Sequence, residues 1–354
     1  MKNILKCFIS VFCLITLLFT SCKFSVGKKK TSDSLTYTIT YIVHRGTAPQ
    51  AITVDADTVL SENQLPVVNN DNYNFSGWYD GNKRVEPGKY KVTKDVSLVA
   101  RWDFDEPLTF EVVYAGNIVI KNPWSTLKYS KNGGDLIAVA GNITLNVELG
   151  DIICLYSEGS ENTTQSSCMS ISGSAVSYIY GNIMSLVSFD RNTGKWNPDA
   201  TSVTDYAFAS LFYCHSGITS PASKDLYLPA TTLGKSCYAA MFNCCTNLNR
   251  APALPAVTLA EYCYSDMFAG SAVRQGPDLL ANTLVKGCYE YMFMNCGLNY
   301  IKCLATDFPE GSSATQGWLI RASQSGTFIK AKDFENWSRD TDGIPSGWDI
   351  QNAE

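Results

Sequence analysis

Between about Tyr206 and Cys303 the chain repeats itself. Residues 228–253 read LPATTLGKSCYAAMFNCCTNLNRAPA, residues 254–278 LPAVTLAEYCYSDMFAGSAVRQGPD, and residues 279–302 LLANTLVKGCYEYMFMNCGLNYIK. A degenerate copy, YAFASLFYCHSGITSPASKDLY, precedes them at 206–227. Cys237, Cys263 and Cys288 mark the period, 26 and then 25 residues. A fixed period of this length permits few folds. One unit cannot bury an apolar face alone, so copies must stack into a continuous core, and at least three are needed.

Within each unit, apolar residues fall at i, i+4 and i+8. Leu233, Cys237 and Met241 form one row; Leu259, Cys263 and Met267 repeat it, as do Leu284, Cys288 and Met292. On a helix such a row lies on one face. The spacing therefore predicts a helix in each copy, with a core ladder of Cys237, Cys263, Cys288, Met241, Met267 and Met292. Thr231 or Thr232, Thr258 and Thr283 precede these segments as N-cap candidates. A short extended piece follows each helix, over 248–253, 273–279 and 298–304. Asn249, Arg250, Arg274, Gln275, Asn299, Tyr300 and Lys302 lie there, and they form the candidate partner-binding strip. Tyr and Arg are enriched at interfaces.

The repeats resemble the BspA-like leucine-rich repeats of bacterial surface proteins, whose helix end reads A-F-x-x-C. Here that motif stands as Leu211-Phe212-Tyr213-Cys214 and Met241-Phe242-Asn243-Cys244. Gly270 and Asn295 occupy the Cys position in later copies. The resemblance implies an α/β leucine-rich-repeat solenoid over 201–303, with residues 304–354 as a C-terminal cap.

Residues 1–22 begin with Lys2 and Lys6, continue through a nearly unbroken apolar run from Cys7 to Phe19, and end Thr20-Ser21-Cys22. This pattern is a secretory signal. The F-T-S-C ending resembles a bacterial lipobox, with Phe19 where Leu is usual. The resemblance makes Cys22 the lipid-attachment residue and implies a membrane anchor in the bacterial cell envelope, in the outer membrane and surface-exposed. Residues 23–34, with three lysines at 28–30, read as a polar linker.

Residues 35–104 read as β-rich. Tyr37–Val43 alternates as a half-buried strand does. Asn74–Tyr79 and Val96–Trp102 are further strand candidates. Phe75-Ser76-Gly77-Trp78-Tyr79 and the closing Ala100-Arg101-Trp102 resemble the Listeria–Bacteroides repeat of internalin B-type surface proteins. That implies a β-grasp-like module serving as a spacer or adhesive element. Residues 105–200 carry several short strand candidates, among them Leu108–Tyr114 and Ile152–Tyr156, and suggest a β-sandwich-like middle domain. The fold expectation is thus multidomain.

The net charge is −5, and −7 once residues 1–21 are removed, which argues against nucleic acid as a partner. The thirteen cysteines show no paired C-x-x-C spacing, so no metal is expected. In the repeats they read first as buried small hydrophobes and second as disulfides between neighbouring coils. His215 adjoins Cys214, but chain neighbours point apart, and other copies carry Cys245 and Cys296 there. Nucleotide-binding, zinc-hydrolase and EF-hand motifs are absent. No enzyme activity, catalytic residue or cofactor is expected. The functional expectation is a cell-surface lipoprotein that binds a host or matrix protein and serves adhesion. The alternatives are a self-assembling structural or fibre component and a carbohydrate-binding accessory protein with a glycan ligand.

Overall fold

The structure is a computed structural model and describes residues 35–43, 47–69, 74–80, 83–103, 106–164, 167–332, 334–335, 337–340 and 342–354. Residues 36–354 form one compact unit.

The first sheet has five strands: β1 (Thr36–Ile42), β2 (Ile52–Asp55), β3 (Asn74–Asp80), β4 (Lys83–Arg84) and β5 (Val96–Asp103). Their order is β2-β1-β5-β3-β4, with β1 and β5 parallel. Alternation in β1 sends Ile39 and Tyr41 inward, onto Leu98 and Trp78. Trp78 is buried, donates its indole N–H to the Pro66 carbonyl at 2.8 Å, and lies 4.9 Å from the Tyr41 ring. The only described helix here is the single 3-10 turn Glu62–Gln64.

The middle region supplies β6 (Leu108–Tyr114), β7 (Gly116–Lys121), β8 (Lys128–Lys131), β9 (Ile137–Ala138), β10 (Ile143–Val147), β11 (Ile152–Tyr156), β12 (Ser170–Gly173), β13 (Val176–Asn182), β14 (Phe189–Asp190) and β15 (Lys195–Trp196). Strands β10-β7-β12 make one sheet, and β13-β6-β11-β8-β9 belong to another. Strand β13 also pairs in parallel with β16 (Ile218–Thr219) and β17 (Leu226–Tyr227) of the first repeat. One hydrophobic core consequently runs from Leu108 in the middle region through the repeats to Trp348.

The repeats overturn the α/β leucine-rich-repeat expectation. Among the described residues there is no α-helix, and the segments read as helices are ribbons of consecutive turns. In the second copy, alternate N–H groups close turns three residues back: Ala239 to Ser236 at 3.1 Å, Met241 to Tyr238 at 3.2 Å, Asn243 to Ala240 at 3.2 Å. The N–H groups between them donate to the next coil: Tyr238 to Cys263 at 3.0 Å, Ala240 to Ser265 at 2.8 Å, Phe242 to Met267 at 2.9 Å. Every fourth residue has a positive φ, as the third residue of a type II turn requires: Ser236 (51°), Ala240 (53°) and Cys244 (59°), then Tyr262, Asp266 and Gly270, then Gly287, Tyr291 and Asn295. The unit thus advances in steps of four residues, not 3.6. Two of the expected N-cap threonines, Thr232 and Thr283, pair across coils instead, in the bridges Ser202–Thr232 and Thr283–Asp307.

Two aromatic columns run through the stack. Phe208, Tyr238, Tyr264, Tyr289 and Trp318 follow one another with ring centroids 5.5, 5.8, 6.2 and 6.4 Å apart. Phe212, Phe242, Phe268 and Phe293 form the second at 5.5–5.6 Å. The tail continues the same construction. Tyr289, Tyr291 and Phe293 donate to the carbonyls of Ala314, Gln316 and Trp318, and Ser313, Gly317 and Arg321 repeat the positive-φ pattern. Ala314 and Trp318 stand where earlier coils carry Cys and Met.

On the opposite side, β18 (Gln275–Leu279), β19 (Tyr300–Cys303), β20 (Gly326–Lys330) and β21 (Trp348–Asn352) form a parallel sheet in that order. The coil before them has no strand over 248–253. Pro252 and Pro255 lack the N–H that a ladder needs. Pro277, inside β18, coincides with a register shift between Gln275 and Asp278.

Candidate binding face

The strip residues lie on three successive coils, the later two of which contribute β18 and β19 to this sheet. The Asn299 N–H donates to the Arg274 carbonyl at 2.8 Å, and Gln275 pairs in register with Tyr300. Asn249, Arg274, Gln275 and Asn299 are exposed, while Arg250, Tyr300 and Lys302 are half-buried. Partial burial holds the Tyr300 hydroxyl above its ordinary pKa. The structure therefore places Gln275, Tyr300 and Lys302 on the adjacent strands β18 and β19, with Arg274 and Asn299 immediately before them. Asn249 and Arg250 sit on the preceding, strandless coil.

Two of the three cations are engaged by an acid one coil earlier. Arg250 Nη2 is 2.9 Å from Asp225 Oδ1 and donates to the Lys224 carbonyl at 2.6 Å. Lys302 Nζ is 3.0 Å from Asp278 Oδ2, and the two residues are register partners across β18 and β19. These pairs hold the long side chains against the sheet. Asp225 and Asp278 were not on the expected strip. Each precedes its base by about one repeat, and that separation was the available signal.

The ladder Cys237, Cys263, Cys288, Met241, Met267 and Met292 is fully buried. Burial pushes these thiols up, Cys288 to about 12. Buried and protonated, these thiols pack as small apolar groups. His215 is buried, its Nδ1 accepts from the Gly217 N–H at 3.2 Å, and burial lowers its pKa to about 4. Among the described residues no group of three or more His, Cys, Asp or Glu side chains is placed to hold a metal ion. Cys22 lies outside the described residues. No described helix is long and apolar enough to cross a membrane.

A cleft of about 170 Å³ between the first sheet and the repeats is lined by Ile42, Asp80, Asp95, Tyr227, Pro229 and Pro255. Its carboxylates are already in use: Asp80 accepts from the Tyr90 hydroxyl at 2.6 Å, and Asp95 from the Thr38 N–H at 2.7 Å.

The first sheet, with Trp78 of β3 buried in its core, carries the features that a family comparison recognises. Residues 37–101 match the Listeria-Bacteroides repeat domain. In this Listeria-Bacteroides module Trp78 is a core residue with its indole N–H satisfied inside the protein, which leaves it no free edge for a sugar. No curated protein and no solved structure matches the chain.

Proposed function

We propose that the chain is a lipid-anchored protein of a bacterial cell surface. In this reading its stacked repeats bind a protein partner, and the binding serves adhesion to host cells or matrix. The observation that carries the reading is the polar strip. Asn249, Arg274, Gln275 and Asn299 recur, exposed, along one side of successive coils. The backbone beneath them is fixed coil to coil by hydrogen bonds, as between Asn299 and Arg274. A strip held rigid before contact loses little conformational entropy on binding. Two further features support the reading: the Listeria-Bacteroides module at 37–101, and the resemblance of the repeats to those of BspA-like surface proteins at Leu211–Cys214 and Met241–Cys244.

The test compares the full protein with an Arg274→Glu/Asn299→Ala variant on a matrix coating and on a host-cell monolayer. The variant should bind at least roughly tenfold more weakly, as loss of central contact residues does. Equal binding on both surfaces would remove the strip from the proposal. The anchor is tested separately: Cys22→Ser should move the protein from the membrane to the soluble fraction, and a variant that stays with membranes overturns lipidation.

A further inference from the structure

The cysteines of the repeats fall into two populations. Cys237, Cys245, Cys263, Cys288, Cys296 and Cys303 are buried. Two of them are also satisfied as donors, Cys245 to the Phe212 carbonyl at 3.0 Å and Cys296 to the Val273 carbonyl at 2.8 Å. Cys214 and Cys244 are the exposed pair among the described residues. They occupy the same position in consecutive coils, since the Cys214 N–H donates to the Asn243 carbonyl at 2.8 Å and the Cys244 N–H to the Ala269 carbonyl at 2.7 Å. Both have positive φ, 56° and 59°, so their side chains leave the turn ribbon in the same direction. Burial first, and then the neighbouring Cys214, hold the Cys244 thiol above its ordinary pKa. The adjacent Cys214 holds the Tyr213 hydroxyl, on a half-exposed ring, above its ordinary pKa.

Neighbouring hydrogen-bonded chains lie ~4.8 Å apart, within the roughly 4.4–6.8 Å between Cα atoms that a disulfide spans. We infer that Cys214 and Cys244 are an oxidative modification site, a reversible cross-coil staple formed by thiol–disulfide exchange with an exposed small-molecule or protein disulfide. A thiolate of the pair attacks one sulfur of the incoming disulfide, forms a mixed disulfide and expels the first thiolate. The second cysteine, as thiolate, then attacks the sulfur of its neighbour and expels the other thiolate. Two protons leave the cysteines, and two electrons reduce the incoming disulfide to two thiols. Later coils cannot extend the staple, because Gly270, Asn295 and Arg321 hold the equivalent positions. The lock is confined to the first two coils, where the repeats meet the middle region.

The experiment incubates the full chain under native conditions with oxidised glutathione, blocks remaining thiols, digests, and maps the peptides by mass spectrometry. The expected product is one peptide pair joined through Cys214 and Cys244, with Cys237, Cys263 and Cys288 alkylated only after denaturation. Cys244→Ser should stop at a stable glutathione adduct on Cys214. Oxidation should raise the melting temperature of the native chain by roughly 5 °C, through closure of the loop between the two cysteines, and leave Cys244→Ser unchanged. Separate glutathione adducts on Cys214 and Cys244, or free thiols at both, would overturn the site. A cross-linked form that melts no higher than the reduced one would overturn the lock.

Discussion

Tyr264 sits fully buried in the first aromatic column, its ring 5.8 Å from Tyr238 and 6.2 Å from Tyr289. Its hydroxyl has no hydrogen-bond partner, nor does that of Tyr238. Burial drives the Tyr264 pKa far up, so the group is neutral at any working pH. In the unfolded chain the same hydroxyl is hydrated. Burying a hydroxyl unpaired costs about 1–3 kcal/mol. Tyr264→Phe removes that cost and keeps the ring stack. It leaves a void of one oxygen atom, worth about 0.3 kcal/mol at ~24 cal/mol per Å³. The slot already accepts a bare ring, since Phe208 heads the column 5.5 Å from Tyr238. Tyr264→Phe should therefore stabilise the protein by about 1–2 kcal/mol. Urea unfolding would show a higher midpoint at unchanged slope. Tyr238→Phe should act in the same direction, and the double variant measures the coupling between adjacent rungs. A loss of about 1 kcal/mol or more in Tyr264→Phe would mean that the hydroxyl has a partner, and the dry column would be refuted.

Three further outcomes follow from the same coils. His215 titrates near 4 when folded and near 6.5 when unfolded, so the unfolded state takes up the proton first. Its contribution is complete above pH 6.5 and is lost as pH falls toward 4, by about 3 kcal/mol at most; His215→Cys, the residue of later copies, should flatten urea midpoints over that window, and an unchanged slope would refute it. Ser313 is exposed at φ 48°, where a non-glycine residue costs about 1–2 kcal/mol. Ser313→Gly should leave stability equal or raised by up to about 1 kcal/mol, and Ser313→Val should lower it by ~1 kcal/mol or more. A helix would give glycine the opposite sign, a loss of about 0.5–1 kcal/mol. Cys263→Ala should cost only about 1–2 kcal/mol in a thermal or urea melt, because Ala207 and Ala314 already fill that slot in the outer coils; a loss above ~4 kcal/mol would show that the thiol column itself holds the stack.

The period of the repeats was legible, because stacking forces equivalent residues to recur. The element inside each period was not. Rows such as Leu233, Cys237 and Met241 suit a four-residue step as well as a helix. Over eight residues an α-helix overshoots two full turns by only about 80°, too little for three residues to tell the two apart. A second signal was present at other positions. Those that take positive φ, from Tyr206, Ser210 and Cys214 to Ser313, Gly317 and Arg321, hold no Val, Ile, Thr or Pro. A helix tolerates Val, Ile and Thr, whereas a left-handed turn position rejects them. In the tail, Ala314 and Trp318 stand where earlier coils carry Cys and Met, so another turn ribbon is hidden there behind different side chains. On the strip, the exposure of Arg274 and Asn299 followed from their place in the unit, but the pairing of Arg250 and Lys302 depended on the coil before. One physical cause joins these misses. Half of the N–H groups in each ribbon donate to the next coil, as Tyr238 does to Cys263. A single unit cannot satisfy its own backbone, so its local conformation is chosen by a neighbour about 25 residues away. A reading of local periodicity spans eleven to eighteen residues, and the partner that decides the conformation lies outside it.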